Sequence, residues 1–139
     1  MTDPFLDTNV LVYAYSQDPV RSSIAAVLVT SGGIVSVQVL NEFVDVARRK
    51  LRFSWAEIDV AIADLLSLLG PPIPTTMEIQ RAALAISARF GFRIYDSLII
   101  GAARQAGCSV VLSEDLRNGQ TVEGVTIVNP FAPASGQAG

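Results

Sequence analysis

The chain has 139 residues, of which 50% are hydrophobic and 17% are charged, and its net charge is −3. A chain of this length forms one domain with its own core, and an acidic protein attracts a polyanion only through a bound cation or a local basic patch. It contains one cysteine, Cys108, and no histidine. This composition excludes an intrachain disulfide, the usual zinc sites, Ser-His-Asp triads and histidine acid–base chemistry. Any catalysis must use carboxylates, hydroxyls, Lys or Arg side chains, backbone groups or a metal ion.

No segment has the features of a targeting signal or a membrane span. Asp7 interrupts the first apolar stretch, no basic segment precedes it, and no apolar run approaches the roughly 18 residues that a span needs. We therefore expect a soluble, cytoplasmic protein with no membrane partner.

Short apolar stretches alternate with helical patterns along the chain. In order, the sequence predicts a strand over 5–6, a helix over 9–15, a helix from Pro19 to the stop at 31–33, a strand over 34–35, helices over 37–46, 55–69 and 76–90, a helix over 97–106, and strands over 110–112 and 125–128. Strands separated by helices indicate an α/β domain with a mainly parallel sheet. We expect one domain over 1–131 and a disordered tail over 132–139.

Several local signals refine the predicted helices, and Ser36 is placed to cap the helix over 37–46. Asp18 is placed to cap the helix that begins at Pro19, and Ile24, Val27 and Leu28 are expected on its apolar face.

The second half of the chain carries similar signals. Thr75 and Glu78 have the spacing of a capping box, and Ser54 and Glu57 have it too. Gly101 is expected to pack closely against the sheet.

Four acidic residues occupy positions that can meet at one edge of such a sheet. Asp7 and Asp115 follow predicted strands, and the carboxyl ends of parallel strands border the crevice where ligands bind. Glu42 and Asp96 lie in helical segments with apolar neighbours. Each acid alone also has an ordinary interpretation: a helix cap for Asp7, a first-turn acid for Asp96, a solvated helix position for Glu42 and a turn residue for Asp115.

Convergence of these acids would require a compensating cation, because unpaired carboxylates in one place repel one another. Ligands that are all oxygen atoms favour a hard ion such as Mg²⁺ or Mn²⁺. A site of this kind neutralises a phosphodiester and activates water for hydrolysis. The sequence thus indicates metal-dependent phosphoryl chemistry.

Four segments, in this order and at this spacing, resemble the motifs of the PIN-domain ribonucleases, and most of all those of the VapC toxins of bacterial type II toxin–antitoxin modules. The segments are Leu6-Asp7-Thr8-Asn9-Val10-Leu11-Val12-Tyr13, Ser36-Val37-Gln38-Val39-Leu40-Asn41-Glu42-Phe43, Tyr95-Asp96-Ser97-Leu98-Ile99 and Leu112-Ser113-Glu114-Asp115-Leu116. The resemblance extends from Phe5 to Phe131. It implies a PIN-like fold with a five-stranded, mainly parallel sheet between layers of helices.

The resemblance also implies an endoribonuclease and assigns roles to individual residues. Its acidic quartet, which would bind Mg²⁺ or Mn²⁺ and catalyse hydrolysis, is Asp7, Glu42, Asp96 and Asp115, with Asp7 and Asp96 as the most direct ligands. The supporting polar residues are Thr8, Asn9 and Ser113. Asp115 is chosen over its neighbour Glu114 because it aligns with the last acid of the family.

Partners follow from the same resemblance. Members of this family cut RNA, usually form homodimers and bind a VapB-like antitoxin along a hydrophobic groove between helices. The candidate contacts to RNA phosphate are Arg48, Arg49, Lys50 and Arg52. A solvated basic helix end that complements the helix dipole is the alternative interpretation of this cluster.

Two other functions remain open at this point. A metal-dependent phosphatase of the haloacid dehalogenase type also begins with Asp at the end of its first strand, but it carries a second Asp two positions later, where this chain has Asn9. A non-catalytic binding module with the same fold is the other alternative, and the presence of all four acids argues against it.

Overall fold

The computed structural model describes residues 3–133, and helices alternate with short strands along it. The elements are β1 (Phe5–Leu6), α1 (Thr8–Ala14), α2 (Pro19–Ser31), α3 (Val37–Arg49), α4 (Trp55–Leu69), α5 (Met77–Phe90), α6 (Ile94–Gln105), β2 (Val110–Leu112), β3 (Thr121–Val122) and β4 (Val125–Val128). The predicted α/β architecture is confirmed. Of the predicted tail, residues 134–139 lie outside the described residues.

One sheet, in the order β1-β2-β4-β3, forms the centre of the described residues. The pairs β1/β2 and β2/β4 are parallel, and β3/β4 is antiparallel. This sheet has four strands rather than the five expected, because the predicted strand at 34–35 makes a single parallel bridge to β1. Ile73 adds another single bridge beyond it, and the prolines on both sides of Ile73 lack the N–H groups that a longer ladder needs.

The helices cover the sheet and share its core. α1 packs against α2 and α3, α5 packs against α6, and α6 contacts β2 and β4. The largest fully buried side chains include Phe5, Leu6, Leu11, Phe43, Leu65, Ile86, Ile100, Val111 and Ile127. Among the helices of residues 3–133, none combines the length and the apolar character that crossing a bilayer requires.

Most predicted helix ends are confirmed by their capping contacts. Asp18 accepts from the N–H groups that follow Pro19, and Ser54 and Glu57 form the predicted capping box. Ser36, by accepting from the Val39 N–H at 3.2 Å, caps α3 as expected. These contacts satisfy N–H groups that have no partner within their helices.

Some local predictions are wrong, and the helix expected over 97–106 begins three residues earlier, at Ile94. Thr76 rather than Thr75 caps α5, and it does so without a reciprocal Glu78 contact. Val27 is 63% exposed, because the buried positions of α2 lie one residue further round the helix. Gly101 packs against α5 and not against the sheet, since a Cβ there would lie 3.4 Å from the carbonyl oxygen of Ile79.

Candidate active site

The adjacent, parallel pair β1 and β2 brings two polar residues together at one edge of the sheet. Asp7 follows β1 and caps α1, where its Oδ1 accepts from the Thr8 N–H at 2.7 Å. Ser113 follows β2, and its hydroxyl donates to Asp7 Oδ2 at 2.7 Å. Both Asp7 and Ser113 are buried. One hydrogen bond to each oxygen therefore fixes the position of the Asp7 carboxylate.

Ser113 also shapes the loop that carries Asp115. Its hydroxyl oxygen accepts from the N–H groups of Asp115 at 3.2 Å and Leu116 at 3.3 Å. Asn9 completes this network by donating to Asp115 Oδ2 at 3.2 Å and accepting from the Glu114 N–H at 3.2 Å. The predicted supporting residues thus form a hydrogen-bonded link between the first helix and the loop after β2.

Glu42 approaches the same place from α3. One of its carboxylate oxygens accepts from the Thr8 hydroxyl at 2.8 Å, and the other accepts from the Gln38 amide at 3.4 Å. The same Gln38 amide donates to the Tyr95 carbonyl at 3.2 Å, which connects α3 to the first turn of α6. Asp96 lies in that turn and is half-buried.

All four acids line one open cleft with a volume of about 850 Å³. The other residues along it are Thr8, Asn9, Val12, Tyr13, Asp45, Val46, Arg49, Lys50, Arg93, Tyr95 and Ile99. The four acids that the sequence predicts at one edge of the sheet, Asp7, Glu42, Asp96 and Asp115, therefore line one cleft in the folded chain.

The charges in the cleft are incompletely compensated. Burial raises the pKa of Asp7 from 3.8 to about 6, the charges of Asp115 and Glu42 act in the same direction, and the hydrogen bonds from Ser113 and Thr8 oppose them. Burial also raises the pKa of Asp96, an effect that the charge of Arg93 opposes. A carboxylate with a raised pKa is one for which a bound cation would relieve a large electrostatic cost.

The carboxylate oxygens in this cleft suit a cation that retains several of its water ligands. Within residues 3–133, no three acidic or cysteine side chains converge tightly enough to enclose a metal ion. Thr8 and Asn9 hold Glu42 and Asp115 through hydrogen bonds. Separate carboxylates of this kind fit Mg²⁺, which proteins usually hold through one or two carboxylates with several waters retained.

The basic cluster predicted at the end of α3 does not act as one patch. Arg49 and Lys50 line the cleft, and Arg49 pairs with Asp45 at 2.8 Å. Arg48 instead lies 4.5 Å from the centre of the Trp55 ring. Arg52 is not among the residues that line the cleft.

Several residues of the cleft were not predicted. Arg93 and Tyr95 stand beside Asp96 at the start of α6, and their nearness in sequence to that acid is the signal that would have identified them. Glu114, the rejected alternative to Asp115, is engaged elsewhere: it accepts from the Tyr13 hydroxyl at 2.6 Å and from Arg21 at 2.8 Å.

The fold is similar to those of several solved toxin–antitoxin proteins. A toxin–antitoxin complex from Klebsiella pneumoniae is similar with a TM-score of 0.69 and 15% identity, over 91% of this chain and 97% of that one. DNA-bound VapBC from Salmonella typhimurium has a TM-score of 0.65 and 25% identity over the same shares. VapC20 of Mycobacterium tuberculosis, a toxin that cleaves the sarcin–ricin loop, has a TM-score of 0.64 and 21% identity over 80% of this chain and 90% of its own.

A comparison with curated protein sequences gives no significant match. The family model of the PIN domain, however, matches residues 5–121, a range that contains all four predicted acids, from Asp7 to Asp115. The chain therefore belongs to the PIN domain family.

Proposed function

We propose that this chain is an Mg²⁺- or Mn²⁺-dependent endoribonuclease that hydrolyses RNA phosphodiester bonds in the acidic cleft. The observation that carries the proposal is the buried carboxylate of Asp7, with its pKa raised to about 6, in one cleft with Glu42, Asp96 and Asp115. Membership of the PIN domain family and the similarity to an RNA-cleaving toxin support the same activity.

Each of the four predicted acids has a role in this proposal. Asp7 and Asp96 are the most direct metal ligands, and Glu42 and Asp115 complete the negative site from α3 and the loop after β2. A divalent cation, when bound, supplies the positive charge that stabilises phosphodiester hydrolysis. Thr8, Asn9 and Ser113 hold three of these carboxylates in place through their hydrogen bonds.

We also propose that the chain is the toxin of a toxin–antitoxin pair, acting in the cytoplasm as a homodimer. The similar solved structures include toxin–antitoxin complexes. An apolar groove along α4, lined by Tyr15, Phe53, Val60 and Ala61 among others, is a suitable surface for a VapB-like antitoxin, and Val60 is 63% exposed there. Sedimentation of the purified chain tests whether it forms a dimer. The antitoxin surface is tested by Val60→Asp, which should weaken inhibition by such an antitoxin while cleavage of RNA continues.

The activity is tested by comparing two variants of acids in the same cleft. Purified wild type should cleave RNA with Mg²⁺ or Mn²⁺ and not with EDTA. Asp96→Asn should lower the rate by roughly 100-fold or more, the size of effect seen when a group that stabilises transition-state charge is removed. Asp45→Asn is the matched control: Asp45 also lines the cleft, but it is paired with Arg49, and its loss should change the rate by less than about 3-fold.

Other outcomes distinguish the alternative functions. Hydrolysis of a simple phosphomonoester without cleavage of RNA would favour the phosphatase. Bound RNA that stays intact with every metal, in wild type and Asp96→Asn alike, would favour a non-catalytic binding module.

A further inference from the structure

Tyr95 is an exposed aromatic side chain on the wall of the acidic cleft. It is 56% exposed and adjoins Asp96 in the chain. The other two tyrosines are engaged: Tyr13 donates to Glu114, and the ring of Tyr15 packs 5.5 Å from that of Phe43. Within residues 3–133, Tyr95 has neither a ring partner nor a hydrogen bond from its hydroxyl.

The backbone that carries this ring is anchored. The Tyr95 carbonyl accepts from the Gln38 amide at 3.2 Å, and Gln38 also contacts Glu42 at 3.4 Å. The backbone that carries the ring is therefore fixed beside Glu42 and Asp96, while the ring itself is exposed. An exposed aromatic ring on an anchored backbone is available for stacking, because its flat apolar face can be covered without moving the chain.

Arg93 supplies positive charge on the same wall. It is exposed, lines the cleft two positions before Tyr95, and makes no ion pair among residues 3–133. By contrast, Arg49 in the same cleft is paired with Asp45. In a chain with a net charge of −3, an unpaired guanidinium beside the carboxylates is a local attraction for phosphate.

From this juxtaposition we infer that Tyr95 and Arg93 form a nucleotide subsite next to the reacting phosphate. A base that is free of pairing stacks on the Tyr95 ring, and the Arg93 guanidinium holds a phosphate of the same strand. The inference rests on the proposed ribonuclease activity and adds the residues that position the substrate. Aromatic stacking accepts any base, so this subsite favours unpaired RNA without choosing its sequence.

The test uses a short unpaired RNA that carries 2-aminopurine, a base whose fluorescence changes when it stacks. Its binding is measured in EDTA, and cleavage of the same RNA is measured separately with Mg²⁺. Tyr95→Leu should weaken binding about 5- to 100-fold, abolish the fluorescence change and raise KM more than it lowers kcat. Tyr95→Phe keeps the ring and should stay within about 2-fold of wild type.

Charge is tested with a second pair of variants. Arg93→Ala should reduce the slope of log Kd against log salt by about 0.7, the effect of one lost contact to a single-stranded phosphate. Arg81→Ala, an exposed arginine of α5 outside the cleft, should leave that slope unchanged. Thermal melting verifies that all four variants fold.

The outcomes separate this subsite from the activity on which it rests. If wild type binds and cleaves RNA while Tyr95→Leu keeps its affinity, KM and fluorescence change, the subsite is wrong and the ribonuclease stands; Tyr95 would then be free for a protein contact. If wild type neither binds nor cleaves any RNA, both proposals fail. Loss of stacking in Tyr95→Leu with rescue in Tyr95→Phe supports the subsite.

Discussion

The four predicted acids of the cleft and the four basic residues at and just after the end of α3 behave in opposite ways on folding. The acids are spread from Asp7 to Asp115 in the sequence, but they line one cleft. The basic residues are nearly consecutive, but only Arg49 and Lys50 reach that cleft, while Arg48 contacts Trp55.

The difference follows from how each set is attached to the fold. Asp7 and Asp115 follow neighbouring strands, so strand pairing places both at the same edge of the sheet. Consecutive residues on a helix point in directions about 100° apart, so a cluster in sequence disperses around the helix end. Closeness in sequence is thus a poor guide to which charged residues share a site. The strand or helix at whose end a charged residue lies is a better guide.

The largest predicted effect on stability comes from neutralising the most buried acid. In EDTA at pH 8, removal of the charge in Asp7→Asn should raise the free energy of unfolding by up to about 3 kcal/mol, since one pKa unit corresponds to about 1.4 kcal/mol. Loss of the hydrogen bond that Ser113 donates to the carboxylate offsets about 1 kcal/mol of this gain. Because the pKa of Asp7 is about 6 in the folded chain and 3.8 as its ordinary value, this advantage should shrink below pH 6 and vanish below pH 4. Urea unfolding of both proteins across this range measures it.

Asp45→Asn is the control for that prediction. Asp45 is exposed, and its hydrogen bond with Arg49 lowers its pKa, so its neutralisation should bring no gain in stability. Equal gains for both variants would mean that net charge, rather than the burial of Asp7, sets the effect.

A smaller loss is expected when the hydroxyl of Ser113 is removed. Ser113→Ala leaves buried groups without their partner and should cost about 1–3 kcal/mol. It should also raise the pKa of Asp7 further, because the Ser113 hydrogen bond lowers that pKa. The pH dependence of the free energy of unfolding reports this shift. An unchanged pKa of Asp7 in Ser113→Ala would contradict the role given to the Ser113 hydrogen bond.

Ser97→Ala provides the matched comparison for Ser113→Ala. Ser97 is equally buried, but its hydroxyl is 2.7 Å from that of Ser87 and does not contact Asp7. This variant should lose stability without changing the pKa of Asp7.

The smallest effects separate two members of the basic cluster. Arg48→Ala should cost about 0.5–1 kcal/mol of stability, the usual value of an exposed cation–π contact, and leave RNA affinity unchanged. Lys50→Ala should do the reverse, lowering the salt dependence of RNA binding with little effect on unfolding. Reversed results would place the RNA path on the Trp55 side of α3.

Much of the fold follows from local signals in the sequence. Caps such as Ser36 and Ser54 identify helix starts because few other residues satisfy the N–H groups there, and the structure confirms both. The two-residue strand β3 carried no such signal, since it is held mainly by its pairing with β4. The packing of Gly101 against α5 depends on how two helices meet, which periodicity in one helix does not specify.

The positions of Asp7, Asp115 and Asp96 could be predicted because these acids follow strands or start a helix, whereas Glu42 lies inside α3 and is indicated by its apolar neighbours. The surroundings of these acids could not be predicted. The network from Ser113 to Asn9 and Asp115 depends on distances across more than 100 positions of the chain, and the open ring of Tyr95 depends on which side chains fail to reach it. Such features emerge only when the elements are assembled.

The acidic cleft is expected to bind a divalent cation through Asp7. The most direct measurement is a calorimetric titration of Mn²⁺ into the metal-free chain, followed by competition with Mg²⁺. We predict saturable binding of Mn²⁺ in wild type and in Asp45→Asn. Asp7→Asn should lose this binding, although it is expected to be the most stable of the three proteins. Equal binding of Mn²⁺ by wild type and Asp7→Asn would contradict this expectation.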